Sequence, residues 1–200
     1  MAEKKLKVGI IREGKTPPDS RVPLTPEQCA ALQRTNALSV ALQPSSHRAF
    51  ADIEYAEQGI ALQEDLSDCH VLLGVKEVPI DMLIPGKTYL FFSHTIKRQP
   101  YNRAMLQAIV ERKIRLIDYE AITSDEGARL VAFGYFAGVV GAHNALWTYG
   151  RKIGAFELPR LYQLRQYSEA KAAYAKIKWP PARIILTGSG RVAQGAARCL

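Results

Sequence analysis

Three short apolar runs decide how this chain folds: VLLGV at residues 71–75, YLFF at 89–92 and IRLI at 114–117. Each run is nearly continuous rather than strictly alternating, which is typical of strands buried on both faces of a sheet. Similar runs occur at residues 8–11, 38–42 and 184–186. Longer mixed segments, several with helical spacing, separate the runs. This alternation predicts an α/β fold, with a mostly parallel sheet flanked by helices.

The helical segments indicate how the chain is divided. Shorter helices are predicted at residues 26–34, 49–58 and 102–113. The first of them has Thr25 as N-cap and Pro26 in its first turn. Long helices are predicted at residues 136–153 and 161–178, and the Pro180-Pro181 pair ends the second one. We therefore expect an N-terminal domain over residues 1–135, connector helices over 136–182 and the start of a second domain over 183–200.

The composition narrows the classes of function. Of the 200 residues, 48% are hydrophobic and 23% are charged, as in globular domains. The net charge is +8, but the basic residues are dispersed, which argues against nucleic-acid binding and favours anionic small ligands. The three cysteines form no C-x-x-C pair, which excludes a zinc ribbon and favours a reducing, cytoplasmic location. The longest apolar stretch, residues 131–147, contains His143 and is too short to span a membrane.

The chain ends in RIILTGSGRVAQGAARCL (183–200), where a predicted strand runs into a glycine turn and then into a helix. Gly188 and Gly190 match the G-x-G-x-x-A pattern that lets a backbone approach a pyrophosphate at a helix N-terminus, and Gly195 follows. The pattern predicts a site for NAD or NADP, although a glycine turn can also simply join a strand to a helix. The residue that selects between these cofactors lies about 20 residues further on. We therefore expect the first βα unit of a truncated nucleotide-binding domain, with an open sheet edge that could pair with another copy.

Ionisable side chains follow several predicted strands. Lys76 follows VLLGV, His94 and Lys97 follow YLFF, and Glu120 follows IRLI. Parallel strands present their carboxyl ends at one edge, so we expect these groups to line a pocket that binds carboxylates and moves protons. Strand alternation would admit only one of Lys76 and Glu77 if the strand continues that far. Two alternatives stay open: charged residues can simply mark where strands reach the surface, and His94 can be a hydrogen-bonded core histidine. The other histidines have no metal-ligand spacing, and no metal site is predicted.

Several segments resemble one family of oxidoreductases. RVPLTP at residues 21–26 resembles the opening of the alanine dehydrogenase/transhydrogenase N-terminal domain. FFSHTIK at 91–97, IRLIDYE at 114–120 and RLVAFGYFAGVVG at 129–141 are similar to lysine-forming saccharopine dehydrogenase, and in particular to its lysine–ketoglutarate reductase form. The resemblance covers residues 7–155 and resumes at the glycine motif.

The resemblance implies a Rossmann-like or flavodoxin-like substrate domain of an NAD(P)-dependent enzyme that acts on a CH–NH bond. In that reaction lysine and 2-oxoglutarate condense to an imine, and hydride transfer gives saccharopine. By resemblance, Lys76 rather than Glu77 enters the pocket, Lys76 and His94 are the acid/base pair, and Arg21 binds a substrate carboxylate. The resemblance implies further substrate contacts at Lys97, Glu120 and Arg129. It implies cofactor contacts at Gly188, Gly190 and Gly195.

Two other functions are compatible with these residues. One is an alanine dehydrogenase-type oxidoreductase, and the other is a non-catalytic ligand-binding or regulatory module of the same fold. Family enzymes close a cleft between two domains, so we expect the 200-residue chain to be inactive by itself. The expected partners are small molecules, namely lysine, 2-oxoglutarate and saccharopine, rather than nucleic acid or a membrane. A homo-oligomer is left open.

Overall fold

The computed structural model describes residues 5–17, 19–35 and 38–200. The chain separates into two compact units, Met1–Val131 and Ala132–Leu200. Both units have buried apolar clusters of their own. Across the described ranges, no helix has the length and apolar character that crossing a membrane requires.

A six-stranded sheet forms the centre of the first unit, and every pair of neighbouring strands in it is parallel. The strands are β1 (Leu6–Ile10), β2 (Leu38–Leu42), β3 (Ala61–Leu62), β4 (Val71–Leu73), β5 (Thr88–Phe91) and β6 (Arg115–Asp118). Their order is β3-β2-β1-β4-β5-β6, so the chain starts in the middle of the sheet and winds outward in both directions. The predicted α/β class is confirmed. The two-residue strand β3 was not predicted.

Helices account for most of the remaining regular structure. The helices are α1 (Pro26–Arg34), α2 (Asp52–Glu57), α3 (Arg103–Glu111), α4 (Gly134–Ile153), α5 (Tyr167–Tyr174) and α6 (Arg191–Cys199). Helix α1 begins where the sequence predicts it. The Thr25 hydroxyl accepts a hydrogen bond from the Gln28 amide, and the Gln28 side chain accepts one from the Thr25 amide. This reciprocal capping satisfies two N–H groups that the first turn of a helix leaves unpaired.

Two apolar clusters hold the sheet between its helices. One includes Leu72, Tyr89 and Phe91 of the sheet with Met105 and Ile109 of α3. The other includes Ile10, Val40 and Leu42 of the sheet with Cys29 of α1 and Tyr55 of α2. Burying one large apolar side chain contributes about 1.5–3 kcal/mol, so these clusters are the main source of stability. They also hold the strands in register, which positions the loops at the carboxyl edge.

Two predictions for the second unit were wrong. Residues 161–178 do not form one helix, because a 3₁₀ turn at Leu161–Gln163 is followed by extended backbone at Gln166 before α5 begins. The segment 183–187, predicted as a strand, forms none, and Ile185 within it is 79% exposed. A strand is stabilised by hydrogen bonds to a neighbour, and within the described part of this unit no strand is available to pair with it. The predicted helices at α4 and α6 are both formed.

Candidate active site

Four loops that leave the carboxyl edge of the sheet bring ionisable side chains together. Lys15 follows β1, Glu77 follows β4, His94 follows β5 and Glu120 follows β6. In an open α/β sheet this edge is where ligands bind, and the gap between β1 and β4 is where the winding direction reverses. The topology therefore gathers these groups at the position that most often carries function in such sheets.

Glu120 accepts interactions from three cationic or imidazole groups. Its Oε2 lies 2.8 Å from His94 Nδ1, and its Oε1 lies 3.3 Å from Lys97 Nζ and 3.5 Å from Arg129. Burial raises the pKa of Glu120, but the hydrogen bonds from His94 and Lys97 lower it more, so the pKa lies below its ordinary 4.5. Glu120 is therefore a carboxylate at neutral pH. These contacts bring together four predicted site residues: His94, Lys97, Glu120 and Arg129.

The second nitrogen of the His94 ring faces another carboxylate. His94 Nε2 lies 3.9 Å from Glu77 Oε1, while Glu77 Oε2 binds Lys15 Nζ at 2.8 Å. Burial raises the pKa of Glu77, but the hydrogen bond from Lys15 and other charges bring it below 4.5. Glu77 Oε1 is buried without a hydrogen-bond partner among the described residues. The imidazole is thus placed between two carboxylates.

The backbone and neighbours of His94 hold its ring in place. His94 has left-handed backbone angles, φ 55° and ψ 14°, which are uncommon for a residue other than glycine. The preceding Ser93 is fully buried, and its hydroxyl donates to Asp118 at the end of β6. The ring of Phe92 stacks against the imidazole at a centroid distance of 6.2 Å. The turn after β5 is therefore pinned to β6, which fixes the direction of the imidazole.

A second group of charges surrounds Lys76 and Arg21. Glu13 accepts hydrogen bonds from the backbone N–H of Val75 at 2.7 Å and of Lys76 at 2.8 Å. Burial raises the pKa of Glu13 above 4.5 in spite of these bonds. The Arg21 guanidinium binds Asp19 through two nitrogens and lowers the pKa of that carboxyl below 3.8. Lys76 and Arg21 both act electrostatically on Asp19, so these three groups lie in one neighbourhood.

The expectation that only one of Lys76 and Glu77 enters the pocket required β4 to continue that far, and it does not. Strand β4 ends at Leu73, so the alternation of strand faces does not extend to residues 76 and 77. The side chain of Glu77 is 10% exposed and lies beside His94. Sequence reasoning placed Glu13 at the end of the first strand, on this edge, but missed Lys15 and Asp19. Both lie in the segment between β1 and the RVPLTP motif, and their place after a strand was the signal that could have identified them.

The glycine loop in the second unit has the features that a pyrophosphate requires. Gly188 has φ +88°, and Gly190 is the N-cap of α6 with no described side chain capping the helix. No described atom lies within 4 Å of a Cβ built on Gly188 or Gly190, so the backbone there is accessible to a ligand. Gly195 differs, because it is buried against the backbone of α4. The residues present therefore fit a dinucleotide phosphate at Gly188, Gly190 and the first turn of α6.

The strand order and the clustered ionisable groups define a doubly wound α/β domain with its polar site at the carboxyl edge. Residues 9–140 match the family described as alanine dehydrogenase/PNT, N-terminal domain, and the chain belongs to this family.

Individual relatives are similar over nearly the whole chain. The chain is 36% identical to an alpha-aminoadipic semialdehyde synthase of Arabidopsis thaliana, over 94% of this chain and 20% of that protein. It is 36% identical to the mitochondrial alpha-aminoadipic semialdehyde synthase of Rattus norvegicus, over 94% of this chain and 22% of that protein. A saccharopine dehydrogenase [NAD(+), L-lysine-forming] of Emericella nidulans is 30% identical, over 94% of this chain and 54% of that protein. The chain thus spans about a fifth of the first two relatives and about half of the third.

A solved structure supports the fold. An L-alanine dehydrogenase aligns with a TM-score of 0.62 at 16% identity, over 96% of this chain and 51% of that chain. At this identity the likeness shows the fold alone.

Proposed function

We propose that this chain supplies the substrate-binding and proton-transfer domain of a nicotinamide-dependent oxidoreductase that condenses lysine with 2-oxoglutarate to saccharopine, or runs the reverse reaction. The observation that carries the proposal is the placement of His94 between Glu77 and Glu120 at the carboxyl edge of the sheet. Family membership and the two kinds of relative support the choice of reaction.

In this proposal the two ring nitrogens of His94 have different tasks. Nδ1 has two partners: the Glu120 carboxylate at 2.8 Å, which can only accept, and the Lys97 ammonium at 3.0 Å, which can only donate. Nε2 contacts neither of these groups, so in the proposal it is the nitrogen that exchanges a proton with a ligand. The buried Glu77 Oε1 lies 3.9 Å from Nε2, so its negative charge would favour the protonated imidazole. Carbinolamine formation and dehydration need such a group, because a proton must be added to or removed from the reacting oxygen and nitrogen at each step.

The neighbouring cations are suited to a dicarboxylic substrate. Arg21, Lys76, Lys97 and Arg129 carry positive charge around the same edge. Asp19 holds Arg21 in place, and Glu120 holds Lys97 and Arg129. A guanidinium can bind a carboxylate through two parallel hydrogen bonds. Substrate carboxylates would bind to these cations in addition to Asp19 and Glu120. Lys76 is the second acid/base candidate of the proposal.

The cofactor in the proposal is NAD or NADP, whose nicotinamide ring supplies the hydride. Gly188, Gly190 and the N-terminal turn of α6 would hold its pyrophosphate, while Gly195 contributes through packing. Cytoplasmic location stays a prediction, and the rat relative is named as mitochondrial.

The test uses the complete polypeptide that contains this chain. NADH and NADPH oxidation is followed with lysine plus 2-oxoglutarate, and separately with ammonia plus pyruvate to test the alanine dehydrogenase alternative. His94→Gln and Lys76→Met should each lower turnover about 10²-fold, the typical contribution of a positioned acid or base. His70→Gln and Lys5→Met are matched controls, because both residues are exposed and precede strands at the opposite, amino edge.

The outcomes distinguish the candidate functions. Turnover with lysine and 2-oxoglutarate that depends on His94 and Lys76 supports the proposal. Turnover only with ammonia and pyruvate favours the alanine dehydrogenase type. Binding of saccharopine without turnover favours a non-catalytic module, and near-normal rates for both variants would remove their catalytic roles.

A further inference from the structure

Helix α6, which carries the glycine loop at its N-terminus, packs directly against the backbone of α4. A Cβ built on Gly138 of α4 would lie 1.9 Å from the carbonyl oxygen of Val192 in α6. A Cβ built on Gly195 of α6 would lie 1.8 Å from the carbonyl oxygen of Tyr135 in α4. Both obstructing atoms are backbone atoms, so no side-chain rotation can relieve the overlap. The two helices can approach this closely only because each has a glycine at the crossing.

A buried chain of hydrogen bonds holds the other end of α6. The Sγ atom of Cys199, the last residue of α6, lies 3.2 Å from the Tyr174 hydroxyl, which lies 2.6 Å from His143 Nδ1. His143 Nε2 contacts the carbonyl oxygen of Pro159 at 2.8 Å. Burial lowers the pKa of His143, so its ring is neutral. The carbonyl requires the ring hydrogen on Nε2, and Nδ1 then accepts from Tyr174. Each of these three side chains therefore has a hydrogen-bond partner. Through Tyr174 of α5, the end of α6 is joined to His143 of α4.

We propose that Gly138 and Gly195 are positioning residues for the dinucleotide, because they set the distance of the phosphate-binding turn of α6 from α4. This inference rests on the proposed function, since it concerns the cofactor of that reaction. Real Cβ atoms essentially never approach other atoms within 3.0 Å, so a methyl group at Gly138 requires a local separation of about 1 Å. A hydrogen bond to a phosphate oxygen has a working range of about 2.7–3.2 Å. We therefore expect a shift of this size to misplace the amides of the turn relative to the rest of the nucleotide site.

The experiment compares glycine-to-alanine variants of α4 in the complete polypeptide that contains this chain. Gly141 is the matched control, because no described atom lies within 4 Å of a Cβ built there. Gly134 is an intermediate case, since its Cβ would make ordinary contacts at 3.6 Å. The dissociation constants of NADH and NADPH are measured by titrating the nucleotide fluorescence, which reports binding without turnover. Gly138→Ala should raise the dissociation constant at least tenfold, Gly134→Ala less than threefold and Gly141→Ala less than twofold.

A second readout separates positioning from general loss of structure. For Gly138→Ala, the KM for the nucleotide should rise in parallel with its dissociation constant. The KM values for lysine and 2-oxoglutarate and the kcat at saturating nucleotide should stay within threefold of wild type. A variant that is only less stable would lose active protein and kcat without a selective rise in the nucleotide constants, and that result would overturn the proposal.

A variant at the far end of α6 keeps the proposal testable if Gly138→Ala does not fold. Tyr174→Phe removes the hydroxyl that joins His143 to Cys199, and it should raise the nucleotide dissociation constant at least threefold. Tyr162→Phe is its control, because Tyr162 is 82% exposed. Unchanged nucleotide binding in Gly138→Ala, or in Tyr174→Phe where the first variant is unfolded, overturns the positioning role and leaves the proposed function intact. Absence of NADH and NADPH binding by the wild-type protein would overturn the proposed function, and the positioning role with it.

Discussion

Replacing Glu120 by glutamine removes one negative charge from the centre of the ionisable cluster while keeping the shape of the side chain. The Glu120 side chain is only 6% exposed, so its interaction with His94 at 2.8 Å is weakly screened by solvent. Exchanging a charged for a neutral acceptor in such a bond costs about 1–2 kcal/mol. Lys97 and Arg129 are 47% and 42% exposed and lie at 3.3 and 3.5 Å. Such exposed pairs contribute about 0.2–1 kcal/mol each.

These contributions predict that Glu120→Gln lowers the free energy of unfolding by about 2 kcal/mol at pH 7. In a chain of this length that is a decrease in Tm of about 4–8 °C. The folded-state pKa of Glu120 is lowered, so its stabilisation is present above the unfolded value of 4.5 and is lost as the pH falls through the lower folded value. The difference between wild type and variant should therefore shrink as the pH falls below 4.5.

Urea unfolding of the 200-residue chain, followed by circular dichroism, measures the change in the free energy of unfolding at pH 7 and in acidic buffer. A thermal scan measures the change in Tm. Glu111→Gln is the control, because Glu111 is an exposed carboxylate at the end of α3 and should change stability by less than about 0.5 kcal/mol. A Glu120→Gln variant as stable as wild type at pH 7 would contradict this role of Glu120. Equal destabilisation at pH 7 and in acid would contradict it as well, since the loss would then not depend on the carboxylate charge.

Three further predictions concern the fold. Thr25→Ala removes the capping box of α1 and should cost about 1 kcal/mol in urea unfolding, whereas Thr25→Ser should retain most of the stability and a loss in both would contradict the capping role. Gly9→Ala places a Cβ 2.7 Å from Leu72 Cδ2 in β4, so we expect the free energy of unfolding to fall by about 1–3 kcal/mol, although replacing glycine usually raises it. A variant of equal or greater stability would show that the core adjusts to the added methyl group. Burial raises the pKa of Cys29 and Cys69 to about 11, so both thiols should react with iodoacetamide at pH 8 only at the rate of unfolding, and prompt labelling of the native chain would contradict their burial.

Much of the cluster around Glu120 could be predicted from sequence, because parallel strands place their carboxyl ends at one edge. His94, Lys97 and Glu120 each lie within six residues of the end of a strand, so counting from the strand ends was enough to group them. Glu77 could not be placed in this way. Its position depends on where β4 ends, and β4 is only three residues long although the apolar run continues to Val75. Apolar patterns report burial rather than hydrogen bonding, so they overestimate the length of such a strand.

Contacts between residues far apart in the sequence could not be predicted from local patterns either. Glu13 binds the amides of Val75 and Lys76 across more than sixty positions of the chain. No local pattern in either segment indicates that contact. It arises because β1 and β4 are neighbours in the sheet while β2 and β3 intervene in sequence. The hydrogen bond from the Lys76 amide to Glu13 therefore depends on the strand order of the sheet.

The amino-acid sequence by itself determined the α/β class, most strand and helix positions, the capping of α1 and the glycine turn before α6, because each depends on residues within a few positions of one another. Tertiary structure alone decided that two carboxylates flank His94, that Arg21 binds Asp19 and that 183–187 forms no strand here. It also assigned Gly195 to a helix crossing. Each of these outcomes depends on which segments become neighbours in space, and strand order and helix packing settle that only when the whole unit folds.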